Sequence, residues 1–196
     1  MMIKYPNGNS YASQSLYVVE RNNNDLRKDK IIHPFDGRVI PLNPTLLKQH
    51  ARALAEKLNL VGVDYILGFA EGGLISAYAI SEVTNIPFIG SYRVRLKLDN
   101  EIHFQEMHSE RANHFIYGLH PNDKIVIIED EITTGQTLIN VIAQLQLRHI
   151  EVQDIGVYAL NCSTEVLAKF EESGYYIKSL YTRDDIQQPC NVEATI

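Results

Sequence analysis

Between Lys124 and Leu138 the chain sets two kinds of ligand-binding chemistry side by side. Ile125-Val126-Ile127-Ile128 is a continuous apolar run that ends in two adjacent carboxylates, Glu129 and Asp130. Ionised groups at the end of a buried strand must be solvated or paired. This pair therefore wants a polar ligand or a metal. Thr133-Thr134-Gly135-Gln136-Thr137 follows, just before a helical pattern that begins at Leu138. Backbone N–H groups at the positive end of a helix attract phosphate, and a glycine lets the anion approach the backbone closely. Phosphate beside a hydroxyl-rich group describes a phosphorylated sugar. The same residues also fit a plainer role, with Thr133 and Thr134 capping the helix and the acidic residues in a solvated loop.

Tyr65-Ile66-Leu67-Gly68-Phe69-Ala70-Glu71-Gly72-Gly73-Leu74 is a second strand, turn and helix start with small residues at the bend. From Ser91 to His114 the chain concentrates Arg93, Arg95, Lys97, His103, His108, Arg111 and His114 within an otherwise acidic protein. His33, His50, His120 and His149 are scattered and read as surface or packing residues. Cys162 and Cys190 lack metal-like spacing, and two thiols in a chain of 196 residues make no disulfide framework. Both read as reduced and structural.

Positioning such turns requires a sheet. Asn43 has the form of an N-cap with Pro44 at the first helical position, and Leu47, Ala51, Leu54, Ala55 and Leu58 fall on one helical face. The pattern then alternates: strands over Val63 to Phe69, Pro87 to Leu96, Lys124 to Glu129, Asp154 to Leu160 and Tyr176 to Tyr181. Helices fall over Leu74 to Val83, Thr137 to Leu147 and Thr164 to Glu172, and the stretch after Leu96 reads as irregular and polar. Apolar strands alternating with helices predict an α/β fold, a central parallel β-sheet flanked by helices on both faces. Ligands in such sheets bind beyond the carboxyl ends of the strands, here the loops after Phe69, Leu96, Glu129 and Leu160. Ser13 to Glu20 is β-prone and Arg21 to Lys30 is a polar connection. Residues 1–40 therefore read as a β-rich appendage and 41–196 as the core.

Composition bounds the function. A net charge of -6, from 24 acidic against 18 basic residues, provides no broad basic field for a nucleic-acid backbone. The polar N-terminus has no apolar stretch of a signal peptide, and no run approaches a membrane span of about 18 apolar residues. A cytoplasmic protein without nucleic acid or membrane is the expectation.

The segment Ile125 to Thr137, with its apolar run, acidic pair, threonines and glycine, resembles the signature of the type I phosphoribosyltransferases. That resemblance implies the family's fold, with residues 1–40 as its hood. It implies that Glu129 and Asp130 hold the ribose 2- and 3-hydroxyls of phosphoribosyl pyrophosphate, and that Thr133, Thr134, Gly135, Gln136 and Thr137 wrap its 5-phosphate. Ala70, Glu71, Gly72 and Gly73 would be the pyrophosphate loop. Glu71 would repel the diphosphate unless a cation intervened, and the family generally uses Mg²⁺, here reached by Glu129 and Asp130 through ribose hydroxyls or water. The basic stretch after Ser91 resembles the family's flexible catalytic loop, with Arg93, Lys97 and His103 as the candidates that meet the diphosphate.

The implied reaction is attack of a nucleobase nitrogen on ribose C1, with inversion and loss of Mg-diphosphate. It needs no covalent nucleophile, which agrees with the lack of a credible Ser-His-Asp or Cys-His set. Asp154 to Leu160 lacks the Lys of hypoxanthine-guanine enzymes. The motifs look most like orotate or adenine phosphoribosyltransferases, although the orotate enzymes' Lys-x-His-Gly pattern is missing, and Tyr17 or Phe69 would stack an adenine-like base. Family members are commonly dimers, so a homodimer is expected. Two other classes stay open: a regulator that senses phosphoribosyl pyrophosphate, and a non-catalytic protein that binds a sugar phosphate.

Overall fold

Leu16, Ile31 and Phe35 are buried in the same apolar cluster as Ala51, Leu54, Val126 and Ile128, so the N-terminal segment contributes directly to the core. The structure is a computed structural model that describes residues 2–4, 10–12, 16–20, 29–105 and 113–186. Strand β1 (Met2–Lys4) pairs antiparallel with β2 (Ser10–Ala12), and β3 (Tyr17–Glu20) with β4 (Asp29–Ile32). Asp29 and Lys30, expected in a polar connection, are therefore strand residues. Helix α1 (Pro44–Ala55) follows as its spacing predicts, with Asn43 Oδ1 accepting from the N–H groups of Thr45 at 3.0 Å and Leu46 at 3.1 Å.

The main sheet is built from β5 (Tyr65–Phe69), β6 (Phe88–Ser91), β9 (Lys124–Ile132), β10 (Glu151–Leu160) and β11 (Ile177–Tyr181). Helix α2 (Gly72–Thr84) links β5 to β6, α3 (Gln136–Gln146) links β9 to β10, and α4 (Thr164–Glu172) links β10 to β11. The spatial order is β11-β10-β9-β5-β6 and every pairing is parallel. The chain moves outward from β5 to β6 and then returns to the other side of β5 with β9. That reversal opens a crevice between the carboxyl ends of β5 and β9.

Side chains alternate across β9 with the two-residue period of a strand. Val126 and Ile128 pack with Ala77 and Ile80 of α2 and with Ala51 and Leu54 of α1. Ile125 and Ile127 pack with Leu138, Val141 and Leu145 of α3 and with Phe170 of α4. Two apolar layers thus sandwich the sheet.

Three features depart from the sequence expectation. Strand β9 runs past Glu129 to Ile132, still paired with β10 as Glu131↔Ala159 and Ile132↔Leu160. Asp130 and Glu131 can lie within the strand because protein partners, described below, satisfy them in place of solvent. Strand β6 stops at Ser91, and the stretch taken as irregular contains an antiparallel pair, β7 (Ile102–Gln105) with β8 (Asn113–Ile116). Ile102 and Phe104 are buried and His103 and Gln105 exposed, a strand alternation too short to stand out among flanking charges. His108 and Arg111 lie outside the described residues. Among the described residues no helix is long and apolar enough to cross a membrane.

Candidate functional site

At the crevice, the start of α2 is pressed against the acidic end of β9. A Cβ on Gly72 would fall on Asp130 Oδ2, and one on Gly73 would fall on Glu129 Oε2. Only residues without side chains can let a helix begin there. The Ala70–Glu71 peptide is cis, and the Ala70 N–H donates to the Ser91 carbonyl at 3.0 Å, tying the turn to β6. Glu71 is exposed and makes no side-chain cap, so the positive end of α2 opens onto the crevice unblocked by its own cap.

Asp130 is only 7% exposed, and its partner is one the sequence concealed. His33, 2% exposed, places Nε2 3.4 Å from Asp130 Oδ2. Its burial corrects the expectation of a surface histidine and gives the packing alternative a specific purpose. Burial alone pushes the Asp130 carboxyl up, but the hydrogen bond and charge of His33, with Arg38 farther off, outweigh it and hold the group below the usual carboxylate range. For His33 burial favours the neutral ring, yet Asp130, Asp36 and Glu131 together raise its pKa above the ordinary value. A chain of charges continues outward: Asp36 Oδ2 lies 3.3 Å from Arg38 Nε, and Arg38 reaches Glu71 at 3.8 Å. Glu131 accepts from the Ile31 N–H at 2.9 Å, fixing the end of β4 on β9.

The turn after β9 enters α3 through Gly135, whose φ of 68° is the left-handed conformation that glycine tolerates. Its α-carbon also faces Phe170 and Val166 of α4, leaving no room for a side chain. Thr134 is exposed and its Oγ1 accepts from the Gln136 N–H at 3.4 Å. Thr133, Gln136 and Thr137 are half-buried around the same helix start. Gln136 donates to Asn140 Oδ1 at 2.9 Å, and Asn140 Nδ2 donates to the Gln105 carbonyl at 2.7 Å. The turn is thereby linked to the end of β7.

The basic stretch divides. Arg93 is half-buried two residues past the end of β6, and Lys97 is exposed with a φ of 57°. His103 lies on β7, hydrogen-bonded to Asn113 Oδ1 at 2.7 Å and stacked on Phe115 with ring centroids 5.0 Å apart. Arg95 is bound by Glu101 at 2.8 Å. His114 is buried, with Nδ1 2.8 Å from Ser91 Oγ, so the base of the β7–β8 pair is anchored beside the Ala70–Gly73 turn.

A family model described as phosphoribosyl transferase matches residues 18–175. The chain belongs to that family. The hypoxanthine/guanine phosphoribosyltransferase of Methanocaldococcus infernus is 30% identical over 155 residues, covering 78% of this chain and 84% of that protein. Among solved structures, adenine phosphoribosyltransferase from Leishmania donovani matches with a TM-score of 0.70 at 16% identity, over 94% of this chain and 84% of that one. UMP synthase from Leishmania donovani matches with a TM-score of 0.62 at 22% identity, over 88% of this chain and 34% of that one. These likenesses show a common fold. The protein is a phosphoribosyltransferase with the type I fold that its β9 motif resembles.

In this phosphoribosyltransferase the relative's name belongs to the purine subgroup that the missing Lys argued against, and β10 indeed carries no Lys between Glu151 and Leu160. Phe69 is 2% exposed and packed edge-on against Phe104, so it is a core residue, and the expectation that it stacks a base is corrected. The Tyr17 side chain and Cys190 lie outside the described residues. Cys162 is half-buried against the α3 layer. Glu129 is half-buried and Glu71 is exposed, and carboxylate oxygens are the donor type that a hard divalent cation takes.

Proposed function

We propose that this phosphoribosyltransferase moves the 5-phosphoribosyl group of phosphoribosyl pyrophosphate to a ring nitrogen of a purine. One observation carries this reading: the start of α2 at Gly72 and Gly73 is pressed against Asp130 and Glu129, and the strand that carries this pair runs on to Ile132 and into the turn that starts α3 at Gly135. One start suits each phosphate end of the donor, with the ribose between them.

Thr133, Thr134, Gly135, Gln136 and Thr137 then bind the 5-phosphate through backbone N–H and hydroxyl groups. Glu129 and Asp130 accept from the ribose 2- and 3-hydroxyls, and Ala70, Glu71, Gly72 and Gly73 bind the diphosphate. As the C1–O bond breaks, its electron pair leaves with the diphosphate and positive charge grows on C1 and the ring oxygen. The two carboxylates stabilise that charge in a site that need not reorganise. The base nitrogen forms the new bond to C1, and its proton passes to the departing diphosphate or to water. Arg93, Lys97 and His103 approach the diphosphate when the β7–β8 pair closes over the crevice. Glu129 and Asp130, through ribose hydroxyls or water, and Glu71 would hold Mg²⁺, which would supply charge neutralisation of the diphosphate.

The purine acceptor is supported by the names of the relative and of the adenine-specific neighbour. Orotate is the competitor, because a UMP synthase shares the fold. The decisive experiment incubates the protein with phosphoribosyl pyrophosphate, Mg²⁺ and adenine, hypoxanthine, guanine or orotate, and monitors diphosphate. Release with a purine supports the proposal, release with orotate alone reassigns the acceptor, and silence with every base favours a sensing or binding role. The same reading expects a cytoplasmic homodimer, an association that the exposed apolar side chains of Val94, Leu96 and Leu98 support and sedimentation tests.

A further inference from the structure

His33 is held too tightly, and aimed too directly, for a residue that merely fills space. Its ring stacks on Phe35, with centroids 5.3 Å apart and planes at 22°, and Phe35 is itself wedged among His50, Tyr158 and Tyr181. The Phe35 N–H donates to Nδ1 at 3.2 Å. Two residues before His33, the Ile31 N–H is bound by Glu131. In the neutral ring, with Nδ1 accepting, the proton sits on Nε2, the atom 3.4 Å from Asp130 Oδ2, and a protonated ring carries a proton on Nε2 as well, so that atom donates in either state. Asp36 is farther from Nε2, at 4.0 Å, and has its own cation in Arg38.

One ligating atom each of His33, Asp36 and Asp130 lies within 4.8 Å of the others, a spacing that would suit a metal ion. A metal-bound imidazole coordinates through a bare nitrogen and donates its other N–H outward. Here Nδ1 takes a backbone N–H, which leaves the proton on the nitrogen that would have to coordinate. The hydrogen-bonding pattern favours a donor to Asp130 over a metal ligand.

We propose that His33 is a positioning residue of the sugar site, holding Asp130 Oδ2 so that the second carboxylate oxygen is presented to a ribose hydroxyl. The proposal rests on the role given above to Asp130. It brings residues 31–38, outside the motifs legible in the sequence, into donor binding. The stack on Phe35 and the bond to Phe35 N–H fix the direction of the donor, while Gly72 leaves the carboxylate the space in which it is held.

The test uses the full chain and three substitutions. His33→Phe keeps the stacked ring and removes the donor, whereas His33→Gln returns an N–H near the Nε2 position. If His33→Phe does not fold, His33→Asn, whose amide is too short to reach Asp130, takes its place. Binding of phosphoribosyl pyrophosphate with Mg²⁺ is measured by calorimetry, and diphosphate release is followed with the base that the panel identifies. A lost hydrogen bond to a charged group predicts a drop in affinity and in kcat/KM of about ten- to a hundredfold for His33→Phe, with most of it recovered in His33→Gln. A purely structural role would lower the melting temperature and leave the affinity of the folded molecules unchanged. That result, or a His33→Gln no better than His33→Phe, overturns the proposal. Stoichiometric binding of Mn²⁺ or Zn²⁺ alone that His33→Phe abolishes also overturns it. A wild-type protein that binds no phosphoribosyl pyrophosphate overturns the donor site itself, whereas wild-type binding matched by His33→Phe overturns the role of His33 alone.

Discussion

Gly72 and Asp130 stand so close that a methyl group on the glycine would land on the carboxylate oxygen. Gly72→Ala must therefore shift either the start of α2 or Asp130. Overpacking of this kind costs about 1–3 kcal/mol of stability, and the displaced helix start should weaken binding of phosphoribosyl pyrophosphate by more than tenfold. Gly62→Ala is the control, since its φ of 70° is strained but its Cβ meets nothing within 4 Å. Thermal melts and calorimetry of both variants should show a loss of affinity for Gly72→Ala only.

Asp130→Asn keeps an oxygen that can accept from His33 Nε2–H, so the fold should survive. The negative charge that the proposed function places beneath the ribose is lost, and turnover should fall by about two to three orders of magnitude. Diphosphate release equal to wild type, from a variant with an unchanged melting temperature, would remove Asp130 from the site.

Asn140 links the turn at Gly135 to the β7–β8 pair, accepting from Gln136 and donating to the Gln105 carbonyl. Asn140→Ala should destabilise the protein by about 1 kcal/mol and speed amide hydrogen exchange in β7. An increase confined to α3 would show that the link does not restrain the strand pair.

His50 gives a pH signature away from the crevice. Burial disfavours its charged form, and although a bond to the Leu46 carbonyl opposes this, its pKa lies below the ordinary value. The folded state thus binds this proton less readily than the unfolded chain. The stability it contributes is complete above the unfolded value of about 6.5 and is lost as pH falls through the lower folded value. Relative to His50→Phe, wild type should lose stability as pH drops through that window, measured by denaturant melts. A wild-type advantage that grows toward acid would reverse the assignment.

Much of this architecture was legible because its causes are local. Asn43 and Pro44 announced α1, Thr164 to Glu172 is helical over the residues that its pattern marked, and the apolar run before Glu129 required a buried parallel strand. What escaped depends on contacts between distant positions. Ile31 and Glu131 are 100 positions apart, and no local pattern tells that one will neutralise a polar group of the other. The same holds for His33, which looks like any scattered histidine until the fold sets it on Asp130. Phe69 was misjudged for a related reason: its place at the end of β5 was readable, whereas Phe104 across from it belongs to a strand pair hidden among charges.

The order reversal between β5 and β9 has a mechanical side. Helix α2 belongs to the apolar layer on one side of the sheet and α3 to the layer on the other. In the proposed reading, a donor seated with its diphosphate on α2 and its 5-phosphate on α3 would act as a strut spanning both layers, loaded at each end. Occupancy of the crevice would then brace the two layers against each other, and departure of diphosphate would unfasten one end while the nucleotide still hung from the other.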